Sequence, residues 1–366
     1  MTLSIPRFQK NLLDWYKNNA RLLPWRKGKN PYYIWISEIM LQQTRVNTVK
    51  NYFTPFIERF PTIQDLASAE PTEILCYWQG LGYYRRALNI VKTAKIINRD
   101  YQGSFPIHYQ EILSLPGIGP YTAGAIASIS FNQAVPAIDG NVKRIISRIF
   151  FLIEDINHND AIKKINEKIN QLIPEQRPGD FNQALMEIGA TICTPRRPDC
   201  QKCPVKNDCM AALKMKQDSL PIKSKKKTPK PMIMEIAIVK KDNKLLLVKR
   251  TDEGLLADMW GLPAIESPSS FPNGKLIQKQ VEKQYGLKVR GKPLFIKKLN
   301  HIFTHRIWKI YIFLISTENN QISQLPNIFW SNKEELENFP IPQAFQKCLK
   351  EYFHFSLSKG TGYIKI

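Results

Sequence analysis

Cys193, Cys200, Cys203 and Cys209 form a C-x6-C-x2-C-x5-C run interleaved with Arg196, Arg197 and Lys202. Four thiolates from one short loop can coordinate a tetrahedral zinc ion or a cubane iron-sulfur cluster. Zinc ribbons are built on two C-x2-C knuckles and this run has one, so the spacing favours a 4Fe-4S cluster. A pair of disulfides is the competing reading, and it needs an oxidising compartment that nothing in the chain indicates. Cys76 and Cys348 stand apart from the run and are expected to be dispensable for metal. A second chemical motif lies upstream, in Leu115-Pro-Gly-Ile-Gly-Pro120. Gly117 and Gly119 in a tight turn before a helix leave backbone N–H groups uncovered at a helix N-terminus, which suits a phosphate.

The elements that must hold these groups divide the chain in two. From Phe8 to Ala212 apolar residues recur at helical spacing, as in Leu12, Leu13 and Tyr16, or Ile145, Ile146 and Ile149, and an all-α region is expected. Residues 216–231 contain the basic, Pro-bounded stretch Pro221 to Pro231 and read as an exposed linker able to lie on phosphates. A strand pattern follows at Ile233 to Val239, Lys244 to Lys249 and Trp308 to Ile315, with a short helix marked by Ile277, Val281 and Tyr285. The expected domains are therefore 1–215, carrying the cysteine loop at 193–209, and 232–354, with 355–366 as a frayed tail. The 366 residues, 43% hydrophobic, suffice for two cores, and Lys plus Arg exceed Asp plus Glu by 53 to 31. A net charge of +22 attracts a polyanion, and nucleic acid is the expected one. No apolar run approaches the roughly 18 residues of a membrane span, and the N-terminus has no apolar signal region. The chain reads as soluble, monomeric and cytoplasmic, nucleoid-associated if bacterial.

The hairpin, the stretch Asp139-Gly-Asn-Val-Lys-Arg144 and the cysteine loop together resemble the endonuclease III superfamily of helix-hairpin-helix DNA glycosylases. Arg21-Leu-Leu-Pro-Trp-Arg26, Trp35-Ile-Ser-Glu-Ile-Met-Leu-Gln-Gln-Thr44 and a strand-rich second domain are similar, more narrowly, to the A/G-mismatch adenine glycosylases of the MutY family. The resemblance implies duplex DNA as partner, and adenine opposite 8-oxoguanine, or more weakly guanine, as substrate. Cleaving the N-glycosidic bond needs one group that protonates the base and one carboxylate that stays charged beside the sugar. Glu38 suits the acid, because helical neighbours Ile34, Trp35 and Leu41 disfavour its charged form. Asp139 suits the partner, because it stands as an N-cap whose N–H donors would keep it ionised. The structural alternative makes Asp139 only a cap and Glu38 only an ion-pair partner for Arg45 or Lys50.

By the same resemblance, Glu38 protonates adenine N7 and later activates water, while Asp139 stabilises the sugar cation. Tyr121 stands where strand-cleaving relatives place a lysine, which implies a monofunctional enzyme. Gln43 and Tyr83 match wedging positions, and Arg21, Trp25, Arg26 and Gln183 match pocket positions for a flipped base. The second domain resembles a Nudix fold in which Gln280-Val-Glu-Lys-Gln-Tyr-Gly286 keeps only Glu282 of the acidic metal box, so pyrophosphatase chemistry is not expected. Phe303, Thr304 and His305 match the loop that reads the oxidised base, with threonine where the family has serine. Two other functions compete: a pyrimidine glycosylase with lyase activity, argued against by Tyr121 and the added domain, and a catalytically silent damage-binding protein, argued against by the two carboxylates.

Overall fold

The computed structural model describes residues 3–224, 228–251, 254–317 and 327–358. They form two compact units, one of residues 1–69 with 88–225 and one of residues 70–87 with 226–366.

Helices of the first part of the chain are α1 (Ile5–Asn19), α2 (Pro31–Leu41), α3 (Val46–Arg59), α4 (Ile63–Ser68), α5 (Pro71–Tyr77), α6 (Arg85–Asp100), α7 (Tyr109–Ser114), α8 (Pro120–Phe131), α9 (Gly140–Ile149), α10 (Asn159–Leu172), α11 (Pro178–Thr191) and α12 (Met210–Leu213). Asn30 starts α2 by accepting the Tyr32 N–H at 2.9 Å, and Pro31 occupies the first turn, where no N–H is required. Both α2 and α8 are apolar around most of their circumference and pack on each other, which makes them interior helices. Gly179 lets α11 cross α8 closely, since a Cβ there would lie 2.6 Å from the Ile129 Cα. A second core joins distant segments: Phe8 and Leu12 of α1 bury against Val142, Ile145 and Ile146 of α9 and Phe181, Leu185 and Ile188 of α11. Cys193, Cys203 and Cys209 pack at the border of this core.

The second unit is built on a mixed sheet of β1 (Lys230–Lys241), β2 (Lys244–Lys249), β3 (Trp260–Gly261), β4 (Ala264–Glu266), β5 (Val289–Ile302), β6 (Arg306–Thr317) and β7 (Ile328–Ser331). The path runs β3-β2-β1-β6-β5, with β4 on β1 and β7 on β2; β1 and β6 are parallel and the other pairs antiparallel. Period-two alternation covers both faces. Ala237, Val239, Tyr311 and Phe313 pack on Ile277 and Val281 of α13 (Lys275–Tyr285), whereas Met234, Ile236, Ile238, Ile310 and Ile312 pack on Phe345, Cys348, Leu349 and Tyr352 of α14 (Gln343–Ser358).

Several boundaries differ from the sequence reading. The segment read as a linker is partly structured: Gln217–Ser219 is a 3-10 turn, Leu220 is buried, and β1 already begins at Lys230 on the parallel ladder with β6. Residues 225–227 of that segment lie outside the described residues. The tail read as frayed from residue 355 continues as helix to Ser358, because Tyr352 and Leu349 anchor α14 in the core; residues 359–366 lie outside the described residues. Strand β5 escaped notice because it is an edge strand, largely exposed, interrupted by bulges and rich in Lys and Arg.

Candidate active site

Glu38 sits on α2 among the buried residues Ile34, Trp35 and Ile39, and is itself only 6% exposed. Its burial pushes the carboxyl pKa up to about 7, with the nearby Asp139 charge acting in the same direction; the Tyr121 hydroxyl and the Arg26 cation oppose that rise. Tyr121, in the first turn of α8, donates its hydroxyl to Glu38 Oε2 and also touches Met186 Sδ at 3.6 Å. The environment expected around Glu38 is therefore present, with Tyr121 rather than Arg45 or Lys50 as its partner. Tyr121 is also expected among the DNA contacts, and its hydroxyl is bonded to the acid.

Asp139 is the N-cap of α9. Its Oδ1 accepts the Val142 N–H at 2.7 Å and its Oδ2 accepts Asn141 Nδ2 at 2.7 Å, so both oxygens are engaged as a carboxylate's would be. Burial nevertheless outweighs those donors and the Arg144 charge, and the net pKa is raised above the ordinary aspartate value. The cap thus opposes protonation without bringing the pKa below normal, which corrects the expectation drawn from an isolated N-cap.

A carboxylate that sequence reading missed organises the pocket residues. Glu187 of α11, fully buried, accepts Arg21 Nε at 2.5 Å and Arg21 Nη2 at 3.1 Å, and Arg26 Nη2 at 2.9 Å. Burial pushes its pKa up, but the hydrogen bonds and charges of Arg21 and Arg26 prevail and hold it below the usual glutamate range. The available signal was a charged residue one turn beyond Gln183 on a helix otherwise buried through Phe181, Ala184, Leu185 and Ile188. Arg21, Trp25, Arg26 and Gln183 line one cavity of about 720 Å³, together with Lys50 and Arg177. Trp25 is fixed edge-on against Phe53, with ring centroids 5.3 Å apart.

The hairpin joins α7 to α8 as expected. Gly117 has φ +75°, and a Cβ there would meet Asn89 at 2.7 Å, whereas the Cβ position of Gly119, the N-cap of α8, is open. Gln43 just beyond α2 is exposed with φ +63°. Left-handed backbone at a non-glycine residue costs energy and concentrates at functional sites. In the second unit Tyr83, half exposed, shares that conformation with φ +49°. Its hydroxyl meets the Thr304 hydroxyl. Thr304 and His305 form the two-residue tip of the β5–β6 hairpin, closed by Phe303 N–H to Arg306 carbonyl at 2.8 Å. Phe303 is held edge-on between His301 and Trp308, with centroid distances of 4.5 Å and 4.9 Å. Glu282 is exposed and accepts Gln278 Nε2 at 3.0 Å.

All four cysteines of the loop are free and half-buried. Among the described residues no three Cys, His, Asp or Glu side chains close around a point that fits a single metal ion. The donor chemistry does fit a cluster bound by thiolates. Arg148 Nη1 donates to Cys193 Sγ at 3.1 Å; burial pushes the Cys203 and Cys209 thiols up, Cys203 to about 12, while the backbone N–H groups of Val205, Ala211 and Ala212 oppose that rise. Cys200, Cys203 and Cys209 each feel the charge of Cys193. Arg196 and Arg197 are exposed on the loop, and Lys202 pairs with Asp199 at 2.9 Å.

A helical unit with a hairpin beside a buried acid, a capped aspartate and a cysteine loop defines a helix-hairpin-helix DNA glycosylase, here joined to a Nudix-like unit. Residues 36–174 match the HhH-GPD superfamily of base excision DNA repair proteins, and residues 235–351 match the NUDIX domain. The chain is 37% identical over 354 residues to the adenine DNA glycosylase of Buchnera aphidicola subsp. Schizaphis graminum, covering 95% of this chain and 99% of that one. It is 31% identical to the Homo sapiens adenine DNA glycosylase, covering 95% of this chain and 74% of that one. The structure of a thermostable thymine-DNA glycosylase superposes with a TM-score of 0.53 at 31% identity, over 57% of this chain and 97% of that one. The chain belongs to the adenine DNA glycosylase family, and it is a DNA glycosylase of base excision repair. Among the described residues no helix is long and apolar enough to cross a membrane.

Proposed function

We propose that the chain hydrolyses the N-glycosidic bond of adenine paired with 8-oxoguanine, and more slowly of adenine paired with guanine, in duplex DNA, leaving an abasic site. The observation that carries this reading is the buried Glu38 carboxyl, whose pKa near 7 leaves a large protonated fraction at neutral pH while the Tyr121 hydroxyl fixes one of its oxygens. A carboxylic acid so placed delivers its proton to the departing base, and the leaving group departs neutral. Asp139, held through both oxygens, sets a negative charge against the cation that develops on the sugar. Glu38, deprotonated by that step, then activates the attacking water. Arg21, Trp25, Arg26 and Gln183 contact the flipped base, with Glu187 keeping the two guanidinium groups in place. Gln43 and Tyr83 enter the stack that the base has left, and Gly117 and Gly119 bring the hairpin backbone to a phosphate.

Cys193, Cys200, Cys203 and Cys209 would hold a 4Fe-4S cluster, which braces the loop that presents Arg196 and Arg197 to DNA. Phe303, Thr304 and His305 read the 8-oxoguanine partner, Thr304 through a hydroxyl able to accept its N7–H. No amine stands at position 121 to attack the sugar, so strand cleavage through an imine is not part of the reaction. The test is single-turnover cleavage of duplexes holding one A:8-oxoguanine or one A:G pair, with and without alkali. Faster base release from A:8-oxoguanine, with strand breaks only after alkali, is expected. Equal rates on the two duplexes, or breaks without alkali, would reject this reading.

A further inference from the structure

Two guanidinium groups lie buried in the helical unit with no carboxylate in direct contact, although Arg144 feels the charge of Asp139. Arg148 of α9 is 1% exposed and Arg144, one turn earlier, 4%. Arg148 Nε donates to the Leu220 carbonyl at 3.0 Å, and Nη1 to Cys193 Sγ at 3.1 Å and the Thr194 carbonyl at 2.8 Å; Nη2 is buried with no partner. Arg144 Nε donates to the Cys193 carbonyl at 2.7 Å, and Nη2 to Asn141 Oδ1 and the Gly189 carbonyl. Among the described residues neither guanidinium forms an ion pair with an acidic side chain. A buried cation served only by neutral acceptors is strongly disfavoured, so a nearby counter-charge is required.

Arg144 feels the charges of both Cys193 and Asp139, and for Arg148 the anion in contact is the Cys193 thiolate that a bound cluster would supply. Cys193 sulfur touches Arg148, and the charges of Cys193 and Arg148 both act on Cys200. Four thiolates around a cubane core of charge +2 leave a net charge of −2, which the two guanidinium charges neutralise. Zinc bound by the same four thiolates would carry the same net charge, so the role assigned to Arg148 rests on the iron-sulfur reading of the loop.

We propose that Arg148 sets the redox potential of the cluster. A fixed positive charge and an N–H donor on sulfur stabilise the more negative, reduced form. Oxidation removes one electron from the 2+ core to an external acceptor and gives the 3+ core, and Arg148 opposes that step. With Nε and Nη1 committed to their acceptors, Nη2 is the donor that remains.

The experiment uses iron-loaded full-length protein, wild type and the variants Arg148→Met and Arg148→Lys, with iron and sulfide analysis followed by voltammetry. Arg148→Met should favour oxidation by about tenfold, a fall of about 59 mV for a one-electron couple, and should bleach faster in air. Arg148→Lys keeps the charge and should recover at least half of that shift. If Arg148→Met does not accumulate as folded protein, resonance Raman spectra in H2O and D2O compare wild type with Arg148→Lys; the wild type should show the larger deuterium sensitivity of its Fe–S stretches. Iron-loaded wild type with an unmoved potential in Arg148→Met, or with Raman sensitivity unchanged in Arg148→Lys, overturns the role of Arg148 alone. A colourless, zinc-loaded wild type overturns the cluster reading and this inference together.

Discussion

Replacing Tyr121 by Phe removes one atom from the site, and the structure fixes the sign of the result. The Tyr121 hydroxyl donates to Glu38 Oε2 and so stabilises the ionised carboxylate against the burial that raises its pKa to about 7. A hydrogen bond to a charged group contributes about 1.5–3 kcal/mol. At about 1.36 kcal/mol per pKa unit, its loss lifts the Glu38 pKa by roughly one to two units, to about 8–9. The reaction requires the acid form of Glu38 and the anion of Asp139, so excision has a plateau between their two pKa values and falls tenfold for each unit above that of Glu38. Tyr121→Phe should therefore hold its rate to higher pH than the wild type, with the plateau at lower pH changed only a few-fold. Single-turnover rates on an A:8-oxoguanine duplex, measured through the neutral and alkaline range, read the shift directly. An alkaline limb that stays in place, or moves to lower pH, would show that Glu38 is not the proton donor or that Tyr121 does not act on its anion.

Three further outcomes are set by geometry. Asp139→Asn keeps the N-cap acceptor for Val142 but loses the charge and the acceptor for Asn141 Nδ2, so excision should drop by about 100- to 1000-fold with a folded protein of lowered melting temperature; rates near wild type would mean the charge is idle. Gly117→Val places a β-branched residue at φ +75° and its Cβ 2.7 Å from Asn89, and urea unfolding should show a loss of about 1–3 kcal/mol; an unchanged midpoint contradicts the assigned turn. Thr304→Val removes the hydroxyl that meets Tyr83 and should cost about 1–3 kcal/mol on A:8-oxoguanine and little on A:G, whereas equal losses on both duplexes would mean that the hairpin tip reads nothing.

The acid was legible because its surroundings are local in sequence: a helix period around Glu38 suffices to bury it. Asp139 as a cap was legible for the same reason, although the depth of its burial, which reverses the expected pKa shift, depends on packing that a helix start does not reveal. Glu187 was not legible. Its partners Arg21 and Arg26 lie more than 160 residues away, and only the docking of α11 beside the segment after α1 brings them together. The Nudix-like sheet showed its central strands through apolar alternation. Edge strand β5 hid behind its lysines, and α14 behind a sequence whose aromatic and charged residues were read as a domain end and tail.

The burial of α1 against α9 and α11 has a consequence for biosynthesis. The apolar stripe of Phe8 and Leu12 finds its core only when residues as far as Ile188 are available. At a synthesis rate of about 5–20 residues per second, that stripe is made roughly 10–40 s before its last partner. During that interval the amphipathic helix is an exposed apolar surface on the nascent chain, a natural client for a chaperone at the ribosome. Slow translation between α1 and α11 would lengthen the exposure without altering the finished fold, so synonymous codon changes in that span would affect the yield of the protein through aggregation.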